Sequence, residues 1–108
     1  MTKNLFDDLV FDKSSEKLET LIENEKVKIE KIITSGQVSE KDSWYDQEWD
    51  EFVVMLEGSA QITFETKQVT LQKGDFLYIK AHERHHVSWS DPNIVTLWLA
   101  VFIKEDKN

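Results

Sequence analysis

The sequence predicts an all-β domain, an antiparallel sandwich or barrel preceded by one short helix, and three observations predict it. From Lys26 onward, β-branched and aromatic residues alternate with polar ones in short runs. The breaks between runs carry turn chemistry, as in "EGSA", "QKGD" and "SDPN". At least seven such runs follow one another at hairpin-length spacing, which favours closure of the sheet.

The helix is expected within residues 15–24, "SEKLETLIEN", where Leu18, Leu21 and Ile22 stand at i, i+3 and i+4 behind serines that can cap it. In "KVKIEKIIT" Val27, Ile29 and Ile32 fall on alternating sides. "SAQITFE" aligns Ala60, Ile62 and Phe64, and "KQVTLQ" aligns Val69 with Leu71. Each reads as a half-buried strand with one wet face. The runs "EFVVMLE" (51–57) and "IVTLWLAVFI" (94–103) are apolar on both faces, so each needs cover on two sides, as a central strand or at an interface. A chain of 108 residues with 40% hydrophobic content buries one core and little more. The N-terminal "NLFDDLVF", the helix and a second subunit are the expected cover, so a homodimer is expected. Residues 1–25 read as an arm with the short helix and 26–108 as the barrel, one domain overall.

Thirteen Lys+Arg against 21 Asp+Glu give a formal charge of -8, which repels phosphate backbones and anionic lipid, and no basic patch overrides it. Nucleic acid and membranes are therefore excluded as expected partners. Cysteine is absent, so any metal must be held by histidine, carboxylate or water. The opening "MTKNLFDDLVFDKSS" carries acids where a signal peptide needs an apolar core, and no apolar run approaches the roughly 18 residues of a membrane span. A soluble, cytoplasmic protein is expected.

The chemistry concentrates in two places. All three histidines lie in "AHERHHV", residues 81–87. Glu51 opens one of the doubly apolar strands and shares a face with Val53 and Met55, and Gly58 permits the tight turn after it. An inward Glu51 must be paired, hydrogen-bonded or metal-bound, because a buried charge is expensive. Asp50, on the opposite face, reads as solvated. In the second place Gly74 and Asp75 make a turn, 76–79 a strand, and a loop delivers the histidines. His85, Val87 and Trp89 then share a face with His86 and Ser88 on the other, and His82 falls at the barrel mouth.

These spacings resemble the two motifs of the cupin superfamily, a double-stranded β-helix of the jelly-roll type, and the resemblance covers residues 26–103. The first motif is written G-x5-H-x-H-x3,4-E-x6-G, and Glu51 and Gly58 match its Glu and final Gly. The second is G-x5-P-x-G-x2-H-x3-N, and Gly74 and His85 match its first Gly and its His. The H-x-H pair falls on Trp44 and Asp46 or on Tyr45 and Gln47, so neither motif histidine is present. Lys80, His82 and Trp89 stand at the Pro, second Gly and Asn positions.

The resemblance implies an antiparallel cupin jelly-roll barrel and a divalent metal in it, Fe, Mn, Ni or Zn. Asp46, Glu51 and His85 are the expected ligands, with His82 in place of Asp46 as the alternative set. It implies a metal-dependent isomerase, oxygenase or lyase acting on a small polar molecule. Loss of both motif histidines implies the alternative, a metal-free module that binds a small molecule without catalysis. Trp44, Tyr45 and His82 are the expected ligand-contacting residues, the two aromatics offering stacking walls.

Overall fold

A computed structural model describes residues 2–40 and 42–104. The described chain is all-β, with eight strands: β1 (Lys17–Glu23), β2 (Val27–Thr34), β3 (Asp50–Glu57), β4 (Ser59–Phe64), β5 (Gln68–Gln72), β6 (Phe76–Ile79), β7 (His85–Ser90) and β8 (Thr96–Ile103). Every pairing is antiparallel, in a five-stranded sheet of order β1-β2-β8-β3-β6 and a three-stranded sheet of order β5-β4-β7. No helix among the described residues is long and apolar enough to cross a membrane.

The two doubly apolar runs sit where their composition demands. β8 lies between β2 and β3, and β3 between β8 and β6, so each has paired neighbours on both edges. On the inner face Val53, Met55, Ala60, Ile62, Phe64, Leu71, Ile79 and Trp98 form one core. Trp98 donates its indole N–H to Thr34 Oγ1 at 3.0 Å, which satisfies the polar end of the largest core side chain. On the outer face Ile33 and Leu97 are paired opposite one another and buried. The N-terminal segment is tied across this region: Lys31 Nζ donates to Asp7 O at 2.7 Å, and the Asp12 N–H donates to Ser35 Oγ at 2.9 Å. The β3–β6 half of the outer face is left open, with Phe76 66% and Tyr78 48% exposed.

Three expectations are corrected. The segment expected as a helix is β1, a strand. Its apolar residues fit a pleat as well as a turn: Leu18 pairs with Ile32 and Ile22 with Ile29 on β2, and Leu21 is the extra residue of a bulge. A sheet edge offering a full ladder of hydrogen bonds outweighs a short, marginal helix. Asp50 is not solvated but 7% exposed, accepting from the Tyr78 hydroxyl and from the Ala81 N–H at 2.7 Å. Trp89 does not share the inner face with His85 and Val87. A bulge between Ile62↔Val87 and Gln61↔Trp89 turns Trp89 outward and places Ser90, 2% exposed, inward.

Candidate functional site

Between the two sheets is a half-open cavity of about 240 Å3. The strands deliver its walls by parity: Glu51 and Val53 from β3, Glu30 and Ile32 from β2, Trp98 and Phe102 from β8, Ile62 from β4, and His85 and Val87 from β7. The free edge of β7 is closed by the segment before β3. Ser39 donates its N–H to Val87 O at 2.9 Å, and Tyr45 and His85 exchange backbone hydrogen bonds at 2.7 and 3.2 Å. This pairing presents Tyr45 and Gln47 to the cavity.

His85 and Glu51 face each other across the cavity wall. His85 is 5% and Glu51 8% exposed. His85 Nδ1 lies 2.8 Å from Glu83 O, and because a carbonyl only accepts, Nδ1 carries the proton of the neutral ring. Nε2 is then a lone pair, and it stands 3.9 Å from Glu51 Oε1, too far for a hydrogen bond. Glu51 accepts from Gln47 Nε2 at 3.1 Å. Burial raises the Glu51 pKa above the ordinary carboxylate range, opposed by the Gln47 hydrogen bond and by His85 and assisted by the negative charge of Glu30. The site thus holds an imidazole lone pair opposite a carboxyl group with enhanced proton affinity.

The remaining expected residues are distributed around this pair. Tyr45 lines the cavity, its ring centroid 5.6 Å from that of His85. Trp44 does not line it but packs edge-on against His86 at 4.5 Å, with the Arg84 guanidinium 5.3 Å from its ring. His86 points the opposite way from His85, and its Nδ1 is buried without a hydrogen-bond partner among the described residues. Asp46 and His82 do not line the cavity. They pair with each other, Oδ1 to Nδ1 at 2.7 Å, on largely exposed side chains. Asp46 alternates with Tyr45 and Gln47, so presenting those two inward turns it outward. His82 adopts φ +64° at the position where the motif has its second glycine, the backbone conformation that glycine suits.

Among the polar residues that line the cavity, Glu16, Glu30 and Gln47 were not anticipated from the sequence as site residues. For Glu30 the available signal was parity. It stands two residues before Ile32, so once Ile32 is inward Glu30 must be too.

Residues 32–102 match the cupin domain family. A protein from Ralstonia eutropha JMP134, named as a candidate mannose-6-phosphate isomerase, is 39% identical over 97% of this chain and 99% of its own, with a TM-score of 0.91. A conserved Streptococcus pyogenes protein of unknown function is 18% identical over 98% of this chain and 89% of its own, TM-score 0.79. A cupin superfamily protein from Desulfitobacterium hafniense DCB-2 is 20% identical over 87% of this chain and 82% of its own, TM-score 0.74. The last two are likenesses of fold. No curated protein sequence matches the chain.

Proposed function

This chain belongs to the cupin domain family, and from that premise we propose that it binds a compact polar molecule in the barrel, held between Glu51 and His85. The observation that carries the reading is the opposed pair: two groups, each more than nine-tenths buried, 3.9 Å apart and unable to satisfy one another directly. Glu51 has the Gln47 amide and His85 Nε2 has no hydrogen bond among the described residues, so both keep acceptor capacity for a ligand. A neutral His85 Nε2 and an ionised Glu51 both accept, so the complementary ligand carries at least two donors, as a polyol or an amine does. At about 240 Å3 the cavity is smaller than the ~300–1,000 Å3 typical of drug-sized ligands, which favours a compact molecule.

The pair is also an acid–base couple. When Glu51 is in the protonated form that burial favours, His85 Nε2 can take a proton from a bound ligand while Glu51 gives one to it, leaving an imidazolium and a carboxylate. Proton transfer of this kind would serve an isomerase or a lyase. The similarity to the R. eutropha protein supports an isomerase between the two.

The divalent metal implied by the family fits these residues less well. Glu51 and the His85 Nε2 lone pair have suitable ligand chemistry. Asp46, the third expected ligand, is instead paired with His82 outside the cavity. No three His, Cys, Asp or Glu side chains among the described residues are grouped to hold a metal ion. The described residues do not form a three-ligand centre. Elemental analysis of tag-free protein tests this: stoichiometric Fe, Mn, Ni or Zn would mean that Glu51, His85 and water suffice.

The binding reading is tested by titrating labelled protein with a panel of polyols and small amines. Binding should shift the amide signals of Gln47, Glu51 and His85 in the wild type and not in His85→Ala. Shifts that persist unchanged in His85→Ala would defeat the reading.

A further inference from the structure

Among the described residues, every ionisable acid or base that lines the cavity apart from His85 and the Tyr45 phenol is a carboxylic acid. Glu51 opens β3, Glu30 faces the same space from β2, and Glu16 stands at the exposed rim just before β1. No lysine or arginine is among the described residues that line it. Lys28 approaches Glu30 at 3.8 Å from the next inward position of β2, but it lies outside the cavity wall. Among the described residues, one partial counter-charge therefore serves three carboxylates. They are close enough to interact: loss of solvent and then the charge of Glu30 raise Glu16, and Glu30 also raises Glu51. A second, independent feature points to a ligand. The His85 side chain is 6% exposed, and its Nε2 faces this space with no hydrogen bond among the described residues.

The rest of the wall is apolar or aromatic, including Ile32, Val53, Tyr45, Trp98 and Phe102. A phosphate group would bring its charges beside three carboxylates with no lysine or arginine among the described wall residues to meet them, in a space where burial strengthens the repulsion. An ammonium group would relieve the repulsion among the glutamates. It would also donate hydrogen bonds to Glu51 and to His85 Nε2, and it would be attracted to the aromatic faces.

We infer that the cavity selects an organic cation, an ammonium group on a compact apolar or hydroxylated body, and rejects phosphorylated ligands. This rests on the reading of the Glu51–His85 cavity as a binding site and names the class of molecule it takes. A sugar phosphate, the compound in the name of the R. eutropha protein, is the wrong charge for this cavity.

The test uses the full chain, tag-free and with a chelator present, at fixed ionic strength. Three probes of different charge are titrated by calorimetry and amide shift mapping: cyclohexylammonium, mannose and mannose 6-phosphate. The ammonium probe should bind about tenfold or more tighter than mannose 6-phosphate, equivalent to about 1.4 kcal/mol, and shift the signals around Glu51 and His85. Glu30→Gln should weaken the ammonium probe several-fold, with the rim variant Glu16→Gln as the second variant should Glu30→Gln not fold. Glu40→Gln, an exposed carboxylate away from the cavity, should leave the affinity unchanged and so controls for the overall charge of -8. If mannose 6-phosphate binds as tightly as the ammonium probe, or if mannose binds at Glu51 and His85 and the ammonium probe does not, the ligand class is wrong and the site stands. If ammonium affinity is insensitive to both cavity variants, the class is likewise overturned. If no probe moves the cavity signals, the inference and the binding reading fall together.

Discussion

Alanine at the two motif glycines should destabilise the fold to different degrees, and the difference can be worked out beforehand. Gly58 and Gly74 both hold positive φ, +89° and +90°, where an L-residue costs about 1–2 kcal/mol. Gly74 has open space around it: a Cβ there meets no atom of the described residues within 4 Å. At Gly58 a Cβ would lie 2.7 Å from Thr96 Cα and 2.8 Å from Thr96 Cβ, and would also press on the Thr96 hydroxyl. Thr96 is fully buried, is β-branched and starts β8 in the middle of the five-stranded sheet, so it cannot swing aside. Overpacking of this kind adds about 1–3 kcal/mol. Gly74→Ala should therefore lose about 1–2 kcal/mol and Gly58→Ala about 2–5 kcal/mol, the excess being steric. Urea unfolding at equal protein concentration measures both, with the slopes compared to confirm that the same transition is observed. If the two variants lose equal stability, β3 and β8 are not packed as tightly at this turn as described, and the account of why glycine follows Glu51 by seven positions is wrong.

Glu51→Gln should remove ligand binding yet stabilise the protein at neutral pH. Because burial raises the folded-state pKa of Glu51, its contribution to stability is full below the unfolded value and is lost as pH rises through the folded one, so the gain in Glu51→Gln over wild type should appear across that window and vanish in acid. Thermal unfolding as a function of pH reads this, and a variant less stable than wild type at every pH would contradict it. His85→Ala should abolish binding, whereas His86→Ala should retain it, since His86 packs on Trp44 outside the cavity. Loss of binding in His86→Ala with retention in His85→Ala, both folded, would mean the strand register is off by one. The open outer face around Phe76 is expected to be covered by a second copy of the chain, burying on the order of 1,200 Å2 or more. Light scattering should give a dimer for wild type and a monomer for Phe76→Lys, and a monomeric wild type at micromolar concentration would rule the dimer out.

Much of this protein is determined by sequence alone, because strand content, two-sided burial and turn chemistry are local properties. The alternation in "SAQITFE" and "KQVTLQ" marks one wet face and one dry one, and β4 and β5 have that form. The double apolarity of 51–57 and 94–103 marks central strands, and β3 and β8 are paired on both edges while the β3–β6 half of the outer face stays open. Parity placed Glu51 inward with Val53 and Met55, and His85 opposite in direction to His86. What only the tertiary structure decided is whatever depends on a bulge, a choice of partner or a distance. Bulges act on parity: one extra residue turned Trp89 outward, and another let the "SEKLETLIEN" pattern of helical spacing lie along a sheet edge. Choice of partner drew Asp46 away to His82 and gave the buried Asp50 to Tyr78 and Ala81, although both acids look equally exposed in "WYDQEWDE". Distance decided the site, because Glu16, Glu30 and Glu51 come from separate strands and termini. Only closure of the sheets brings those three charges to one cavity, opposite a single imidazole.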